Sequence, residues 1–420
     1  MALTPEGDWN ATDPPIRKSE PLSGSIISLL TDLNLWDSGK SVALPVLING
    51  GVAMWRHISR IFLAIFGALL LLGLDAGTSE SSSDPQGKSP VSQFEIIRAA
   101  ADAYAQSGEL SEVTAKELYQ NLTDGKEAND PLILNVYEPN SELPDVYEKG
   151  HIPGAIKVPW GVALSEKEFL VLRGGYAREG YMTKLPKDKQ IVVYSYNGHL
   201  GGQLATLLKL VGYDAKNLKW GMTSWTRDKA VAPGRYEQSK DCTALRVDDT
   251  TNEATEQFAL PDVRNTASGI PREIIRAAAE AFAKSGKDVT VSADGLFNRQ
   301  RDRNPANRPL VLNVDDAAVY SKGHISGAVN IPYKVLFKRD NLRKLNTKKQ
   351  IVVYSQDGHA GNQATALLNI LGYDAVSLKW GLASWTCRKD LIADRYDESK
   401  DCLDYVLATG PLPLGEQSYY

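Results

Sequence analysis

Two stretches of the sequence decide the fold: QIVVYSYNGHLGGQLATLLKLVGYDAKNLKWGMTSW at 190–225 and QIVVYSQDGHAGNQATALLNILGYDAVSLKWGLASW at 350–385. They align without a gap, which indicates a duplication. In each stretch a β-rich apolar run ends at a serine, Ser195 or Ser355, and a glycine-containing turn then leads into a helical pattern. This pattern predicts a strand, a tight turn and a helix, with the serine at the carboxyl end of the strand.

The duplication extends well beyond these stretches. EIIRAAADAYAQSG at 95–108 pairs with EIIRAAAEAFAKSG at 273–286, and RYEQSKDC at 235–242 pairs with RYDESKDC at 395–402. The period is far longer than a solenoid unit, so each copy should be a complete domain. We predict domains at 93–246 and 269–406, a polar acidic linker at 247–268, and a tail at 407–420. Because strands alternate with helices, each domain should be an α/β fold with a central parallel sheet flanked by helices.

The overall composition is that of globular domains. The 420 residues include 47 basic and 51 acidic side chains, so no strong net field of either sign is expected to attract nucleic acid or anionic lipid. A chain of this length exceeds a single hydrophobic core, which agrees with more than one domain.

An apolar run, IFLAIFGALLLLGL at 61–74, is too short for the roughly 20 residues of a membrane-spanning helix but suits a signal peptide. Arg56 and Arg60 precede it. We therefore expect a signal peptide or membrane anchor at 54–77 and a linker at 78–92. The domains would be periplasmic or secreted, or anchored with the domains outside, and 61–74 would be the only membrane contact. The status of 1–53 stays open, since Met54 is an alternative start.

The turns after the two strands are the candidate site. Backbone N–H groups and the helix dipole at such a turn favour an anion, and Gly198 and Gly358 would permit the turn. We predict two anion-binding loops, which comprise Ser195, Tyr196, Asn197, Gly198, His199, Leu200 and Gly201, and Ser355, Gln356, Asp357, Gly358, His359, Ala360 and Gly361.

These loops, together with GHIPGA at 150–155, GHISGA at 323–328 and the two segments that end in KWGMTSW and KWGLASW, resemble the rhodanese-like sulfurtransferase family. The resemblance covers about two thirds of the chain. It implies a loop of the form C-x-x-G-x-R, or CYTGH in some members. In that family the loop cysteine carries a persulfide inside a ring of backbone amides, and sulfur passes from thiosulfate or another donor to a thiophilic acceptor.

The sequence departs from this pattern where the resemblance places the chemistry. Ser195 and Ser355 stand at the cysteine position, and Leu200 and Ala360 stand at the arginine position. A serine hydroxyl cannot carry a sulfane sulfur, so family sulfur transfer through these loops should be lost. Engineered replacement of the cysteines is an alternative, although Leu200 and Ala360 favour natural divergence.

The D-V-R motif of many family members is also altered. It appears as Asn135 and Tyr137 in the first copy and as Asn313 and Asp315 in the second. The loops around the candidate site have therefore lost charge in both copies.

The histidines allow other interpretations. His199 and His359 lie four residues after the serines and could act as bases in a hydrolase, but inherited loop architecture explains them as well. His151 and His324 read as structural loop residues, because neither has a nearby second histidine or cysteine. We predict no metal and no cofactor.

Three cysteines allow three pairs, and the sequence does not choose among them: Cys242, Cys387 and Cys402. Cys387 with Cys402 would close a short loop, whereas Cys242 with Cys402 would tie the domains together. Unpaired thiols are the alternative, and an exported protein would permit a disulfide.

The sequence is compatible with three functions. The first is an exported tandem rhodanese-like protein without persulfide chemistry, which binds a small anion, a sulfur compound or a partner protein. The second is a sulfurtransferase that uses another cysteine. The third is a structural scaffold in an envelope or extracellular assembly.

Overall fold

The computed structural model describes residues 91–137, 145–165, 169–172, 176–179 and 185–410. The predicted N-terminal segment 1–53, the predicted signal or anchor at 54–77, most of the linker at 78–92 and the end of the tail lie outside the described residues. Within the described part of the chain, no helix has both the length and the apolar character needed to cross a membrane.

The first copy is an α/β domain, as predicted. Its strands are β1 (Glu112–Val113), β2 (Leu132–Tyr137), β3 (Ile156–Pro159), β4 (Phe169–Leu172), β5 (Tyr176–Glu179), β6 (Ile191–Tyr194) and β7 (Ala215–Leu218). Its helices are α1 (Gln93–Ser107), α2 (Ala115–Thr123), α3 (His199–Leu210), α4 (Met222–Trp225) and α5 (Gln238–Asp241). The sheet order is β1-β7-β6-β2-β3-β5-β4, and every pair is parallel except β4 with β5.

The second copy repeats this plan around a five-stranded parallel sheet of order β12-β10-β13-β14-β9. Its strands, together with the one that precedes it, are β8 (Val247–Asp248), β9 (Thr290–Val291), β10 (Leu310–Asn313), β11 (His324–Ile325), β12 (Val329–Asn330), β13 (Gln350–Tyr354) and β14 (Asp374–Leu378). Its helices are α6 (Pro271–Ala283), α7 (Ala293–Gln300), α8 (Ala317–Tyr320), α9 (Tyr333–Leu336), α10 (Arg339–Leu342), α11 (His359–Ile370), α12 (Leu382–Trp385) and α13 (Glu398–Asp401).

Local sequence signals account for the element ends. Ser92 caps α1 by accepting the Glu95 N–H, and Thr114 forms a capping box with Glu117 at the start of α2. Helix α3 ends at Leu210, and Gly212 follows with φ of +93°. This left-handed glycine lies one residue beyond the C-cap, where it stops the helix without side-chain strain.

The two copies share one hydrophobic core. A single cluster of buried side chains includes Ile97 and Leu207 from the first copy and Ile275 and Leu367 from the second. Helices α3 and α11 pack against each other, and α1 packs against α6. Burial of this apolar surface between the copies is the main force that joins them.

The segment that follows each copy crosses to the other copy. Residues 243–248 lie on the second domain, where Leu245 donates its N–H to Trp385 and β8 pairs antiparallel with β11. Residues 403–410 lie on the first domain in the equivalent way, with the Tyr405 N–H donating to Trp225. We call these segments the first strap (243–248) and the second strap (403–410).

Both straps run across the boundaries predicted between the domains, the linker and the tail. The first strap begins inside the predicted first domain and ends in the predicted linker 247–268, and the same linker continues over the second domain, with Val263 buried. The second strap includes the start of the predicted tail at 407. Reciprocal crossing makes the tandem a single body with approximate two-fold symmetry, in which the copies resemble the subunits of an arm-exchanged dimer.

Candidate functional site

The two serines lie where the sequence predicts. Ser195 directly follows β6 and Ser355 directly follows β13, and the helices begin four residues later at His199 and His359. Gly198 has φ of +83°, and a Cβ there would lie 3.1 Å from the Gly221 nitrogen. Glycine is therefore required for this turn, both for its backbone conformation and for the close approach of a second segment.

That second segment is the KWG turn, whose role sequence reasoning missed. Trp220 and Trp380 have φ of +63° and +64°, which is strained for a large side chain. The turn holds each serine loop by backbone hydrogen bonds: the Met222 N–H donates to the Ser195 carbonyl at 2.9 Å, and the Leu382 N–H donates to the Ser355 carbonyl at 2.9 Å. The occurrence of KWG in both copies was the available signal.

The loop amides point at the serine hydroxyls. The Gly201 N–H donates to Ser195 Oγ at 3.2 Å, while Gly358 and Gly361 donate to Ser355 Oγ at 3.1 and 3.3 Å. Both serines are buried, with Ser195 5% and Ser355 2% exposed. These N–H groups are therefore engaged by the serine oxygens of the chain itself.

A second side chain in each loop takes the position expected for a bound anion. Asn197 Oδ1 accepts the His199 N–H at 3.2 Å, and Asp357 Oδ1 accepts the His359 N–H at 3.0 Å. Asp357 also accepts the Ser355 hydroxyl at 3.2 Å. In the second copy a carboxylate of the chain thus lies at the N-terminus of α11, where the helix dipole favours negative charge.

The loop histidines reach into the opposite domain rather than toward their own serines. His199 and His359 are 4% and 5% exposed. The Trp380 N–H donates to His199 Nε2 at 3.1 Å, so in the neutral imidazole Nδ1 carries the proton. The Asn362 amide nitrogen lies 2.7 Å from Nδ1, where both groups would donate. Turning the carboxamide by 180° puts its oxygen, which otherwise has no partner among the described residues, in the accepting position.

His359 has a different partner across the same interface. Its Nδ1 pairs with the Glu112 carboxylate, and its ring lies edge-on to Trp220 with centroids 4.3 Å apart. Burial alone would lower the pKa of His359, but the charges of Glu112 and Asp357 outweigh burial and raise it to about 9. Burial and the charge of Lys379 hold the pKa of His199 well below its ordinary value.

Four aromatic side chains fill the centre of the interface: Trp220, Trp380, Tyr236 and Tyr396. The hydroxyls of the tyrosines cross between the copies, with Tyr236 donating to the Ala383 carbonyl at 2.9 Å and Tyr396 donating to the Thr223 carbonyl at 2.7 Å. The serine loops therefore border a packed aromatic contact between domains.

The altered D-V-R positions lie beside the loops. Asp315 accepts the Gln356 N–H at 3.2 Å and the Asn313 amide at 2.8 Å. Burial raises the pKa of Asp315 to about 6, against the lowering effect of these hydrogen bonds. In the first copy Lys157, which is buried, pairs with Asp145 and lies 4.4 Å from the centre of the Tyr137 ring.

The histidines of the GHI motifs contact a nearby tyrosine, and Nε2 of His324 also lies 3.1 Å from the distant Thr250 carbonyl. Nδ1 of His151 lies 2.8 Å from the Tyr147 carbonyl, and Nδ1 of His324 lies 3.0 Å from the Tyr320 carbonyl. The His151 ring also stacks on Tyr147, with centroids 4.1 Å apart, and the His324 ring stacks on Tyr320, with centroids 3.7 Å apart. These contacts fix the chain between β2 and β3 and between β10 and β12.

One of the three cysteine pairs left open by the sequence is present. Cys242 and Cys387 form a disulfide with Cα atoms 5.6 Å apart, which joins the start of the first strap to the second domain. Cys402, the repeat equivalent of Cys242, is a buried free thiol. Its neighbour at the position equivalent to Cys387 is Arg227, which donates to the Cys402 carbonyl at 3.2 Å.

The fold and the two loops define a tandem α/β protein whose candidate sites lie at the carboxyl ends of parallel strands. The Rhodanese-like domain family matches residues 114–228 and 292–387, which together make up half of the chain. The chain belongs to the rhodanese-like family.

Relatives of this chain include sulfurtransferases. It is 26% identical over 190 residues to the probable adenylyltransferase/sulfurtransferase MoeZ of Mycobacterium tuberculosis, a match that covers 45% of each chain. The chain thus spans less than half the length of this relative. It is 25% identical over 262 residues to a putative thiosulfate sulfurtransferase of Saccharopolyspora erythraea, which covers 57% of this chain and 82% of that protein.

Two solved structures of rhodanese-type proteins are similar to this chain. The thiosulfate sulfurtransferase from Pseudomonas aeruginosa is 15% identical with a TM-score of 0.25, and the match covers 72% of this chain and 48% of that one. The rhodanese-related protein from Thermoplasma volcanium is 25% identical with a TM-score of 0.20, over 23% of this chain and 88% of that one.

Proposed function

We propose that this chain is a rhodanese-like protein without sulfur transfer through its two loops, and that it acts as a rigid protein-binding module. The observation that carries the proposal is that the polar groups of each loop already hydrogen-bond other groups of the same chain. The loop amides donate to Ser195 and Ser355, and the loop histidines are engaged by the opposite domain.

Persulfide chemistry needs an accessible thiolate. In this chain the loop positions hold serine. Cys242 and Cys387 are joined in a disulfide, and Cys402 is 2% exposed. This arrangement disfavours the alternative of a sulfurtransferase that uses another cysteine.

The geometry also disfavours the serine hydrolase alternative. Ser355 donates to Asp357, while both ring nitrogens of His199 are engaged across the interface. A histidine base must lie within hydrogen-bond reach of its nucleophile. Neither histidine makes such a contact with its own serine among the described hydrogen bonds.

A partner protein is favoured over a small anion as the ligand. Asp357 already supplies a carboxylate at the helix N-terminus of the second loop, so an added anion would meet like charge. The shared core and the crossed straps hold the two copies together as one body, which suits a binding module or a scaffold. An exported location is part of the proposal, since the Cys242–Cys387 disulfide would persist in an oxidising compartment.

A thiosulfate:cyanide sulfurtransferase assay tests this function. We expect the purified protein to show no turnover above background, with and without reductant. Ser355→Cys should create weak activity at best, because Ala360 offers no guanidinium for an anionic donor. The proposal is wrong if the unmodified protein turns over thiosulfate, and if that activity survives alanine at Ser195 and Ser355 but disappears when Cys242 and Cys402 are removed.

A thermal shift with thiosulfate separates the two kinds of ligand. We expect added thiosulfate to leave the unfolding temperature no higher than an equal ionic strength of chloride does. A rise specific to thiosulfate that grows in Asp357→Asn, where a repelling charge is removed, and is lost in Asn197→Asp, where one is added, would favour the small-anion module instead.

A further inference from the structure

A surface at the other end of the second sheet carries a concentrated positive charge. The stretches 299–308 and 343–350 contain eight basic side chains and one carboxylate, Asp302. The basic members are Arg299, Arg301, Arg303, Arg308, Arg343, Lys344, Lys348 and Lys349. The balanced charge of the whole chain conceals this cluster, which we call the basic edge.

The structure brings the first stretch against the end of the second, at 348–350, whereas Arg343 lies beside Ser92 and Glu95 of the first copy. Residues Leu310 and Ile351 pair at the starts of β10 and β13, so the loops that precede these strands are neighbours. The Lys349 ammonium donates to the Pro305 carbonyl at 3.4 Å, and Arg299 hydrogen-bonds Gln350. Because the strands are parallel, the basic edge lies at their amino ends and the serine loop lies at their carboxyl ends.

The charges on this surface are not neutralised by neighbours. Arg301, Arg303, Arg308 and Lys348 are exposed, and none of the eight basic side chains forms an ion pair with a carboxylate among the described residues. The carboxylate of Asp302 accepts hydrogen bonds from Asn304 and Asn307 within its own turn. Asp374, at the start of the adjacent strand, pairs with Lys287 at 3.4 Å.

The first copy supplies an internal comparison. Its turn is built in the same way, with Asp124 accepting from Lys126 and Asn129 as Asp302 accepts from Asn304 and Asn307. The matched stretches 121–130 and 183–190 nevertheless contain four basic and four acidic residues. Asp130 stands in place of Arg308, and Asp188 in place of Lys348. The turn itself therefore does not require the positive charge.

We propose that the basic edge docks the protein on an anionic phospholipid bilayer, a second membrane contact beyond the one that the sequence predicts at 61–74. The cations project from two neighbouring loops at an outer edge, so they suit a broad surface of many weak negative charges. Clusters of four to eight Lys and Arg side chains bind such surfaces, and the attraction decays within about 10 Å at 0.1 M salt. The predicted signal or anchor at 54–77 would bring the chain to a membrane.

Nucleic acid is the less favoured polyanion. Single-stranded nucleic acid is bound by aromatic side chains on which bases stack, and the Phe297 ring at this edge is covered by Arg301, whose guanidinium carbon lies 4.5 Å from the ring centre. Membrane docking at this edge leaves the interface between the serine loops unaffected, so it is independent of the proposed function.

Sedimentation with vesicles tests the proposal on the full chain. One set of vesicles is phosphatidylcholine, and the other contains equal amounts of phosphatidylcholine and phosphatidylglycerol. We expect stronger binding to the second set, and we expect the excess to disappear at high salt. The triple variant Arg301→Thr, Arg308→Asp, Lys348→Asp introduces the residues that the first copy uses, and it should weaken the excess binding about a hundredfold.

The matched control is Lys116→Asp, Lys149→Asp, Lys322→Thr, which removes the same net charge from exposed positions elsewhere. It should retain nearly all of the excess binding, and circular dichroism should show that both variants are folded. Equal binding to the two sets of vesicles, full binding by the triple variant, or equal losses in both variants would overturn the proposal. So would a duplex oligonucleotide that binds the edge at a salt concentration where anionic vesicles do not.

Discussion

The two copies hold their serine loops in the same backbone geometry but connect them to the opposite domain in different ways. His199 of the first copy is neutral and hydrogen-bonds Asn362 and the Trp380 backbone, whereas His359 of the second copy is charged and pairs with Glu112. In the repeat, Thr290 stands at the position of Glu112, and Gly202 stands at the position of Asn362. These two differences between the copies leave the interface with a neutral half and an ionic half.

The straps show the same divergence. The first strap is attached covalently through Cys242 and Cys387, while the second strap has Cys402 beside Arg227 and no cross-link. The backbone at the two cysteines is nearly the same, with φ and ψ of −93° and 108° at Cys242 and −97° and 115° at Cys402. The two copies therefore share their backbone geometry at these positions, while individual side chains make the two halves of the interface different.

The largest effect should come from removing the cross-link. Changing Cys242 and Cys387 to serine opens a loop of 145 residues and should lower the free energy of unfolding by about 4 kcal/mol. Urea denaturation of the oxidised proteins measures this loss. Cys402→Ala, which removes a buried thiol without opening a loop, is the control and should cost about 1 kcal/mol. Equal losses would mean that the disulfide adds no stability.

Breaking the ionic half should come next. Glu112→Gln leaves the buried His359 without its carboxylate and should cost about 3 kcal/mol near neutral pH. The exposed Glu109→Gln is the matched control and should cost less than about 0.5 kcal/mol.

The same pair predicts a pH dependence. The pKa of His359 is about 9 in the folded protein, above its ordinary value of 6.5, so folding favours the protonated form. The stabilisation is complete below pH 6.5 and is lost as pH rises to about 9. The wild type should therefore lose stability across this window more steeply than Glu112→Gln. Parallel pH profiles for the two proteins would show that the pair is not ionic.

Much of the fold was predictable from the sequence because its signals are local. The apolar runs that precede Ser195 and Ser355 are the strands β6 and β13, the serines lie at their ends, and Gly198 and Gly358 make the turns. Such features depend on residues within one strand or one helical turn, and the repeat displayed each of them twice.

The contacts of the site could not be predicted, because they join distant residues. His359 and Glu112 are separated by 247 positions, and nothing in the spacing of either copy connects them. The first strap alternates apolar and polar residues over only four positions, 245–248, and nothing in that short pattern shows that its backbone pairs with β11 of the other copy. Cys242 can reach Cys387 only because the chain crosses to the second domain there, and nothing in the sequence around Cys242 indicates that crossing. The sequence KWG occurs in both copies and could be recognised as a repeat. Its strained backbone could not be predicted, because the contact with the serine loop holds the turn in that conformation.

Completing the second strap with a disulfide should produce a smaller gain. Arg227→Cys places a thiol at the position equivalent to Cys387, opposite Cys402, and should stabilise the oxidised protein by about 2 kcal/mol. The lost ion pair with Asp404 is exposed and contributes little. Peptide mapping without reductant checks the new bond. If the thiols stay free under oxidising conditions, the two straps are less alike than their backbones indicate.

The smallest effect should come from exchanging the residues that cap the two loop helices. Asp357→Asn gives the second loop the residue of the first, and its amide oxygen can still accept the His359 N–H. What is lost is one negative charge beside His359, so stability below pH 6.5 should fall by about 1 kcal/mol. The pKa of His359 should also fall, because Asp357 is one of the two carboxylates that raise it. The reciprocal Asn197→Asp should leave that pKa unchanged, since Asn197 caps the helix of His199. NMR titration of the five histidines measures both changes. An unchanged pKa of His359 in Asp357→Asn would assign the ionic half of the interface to Glu112 alone.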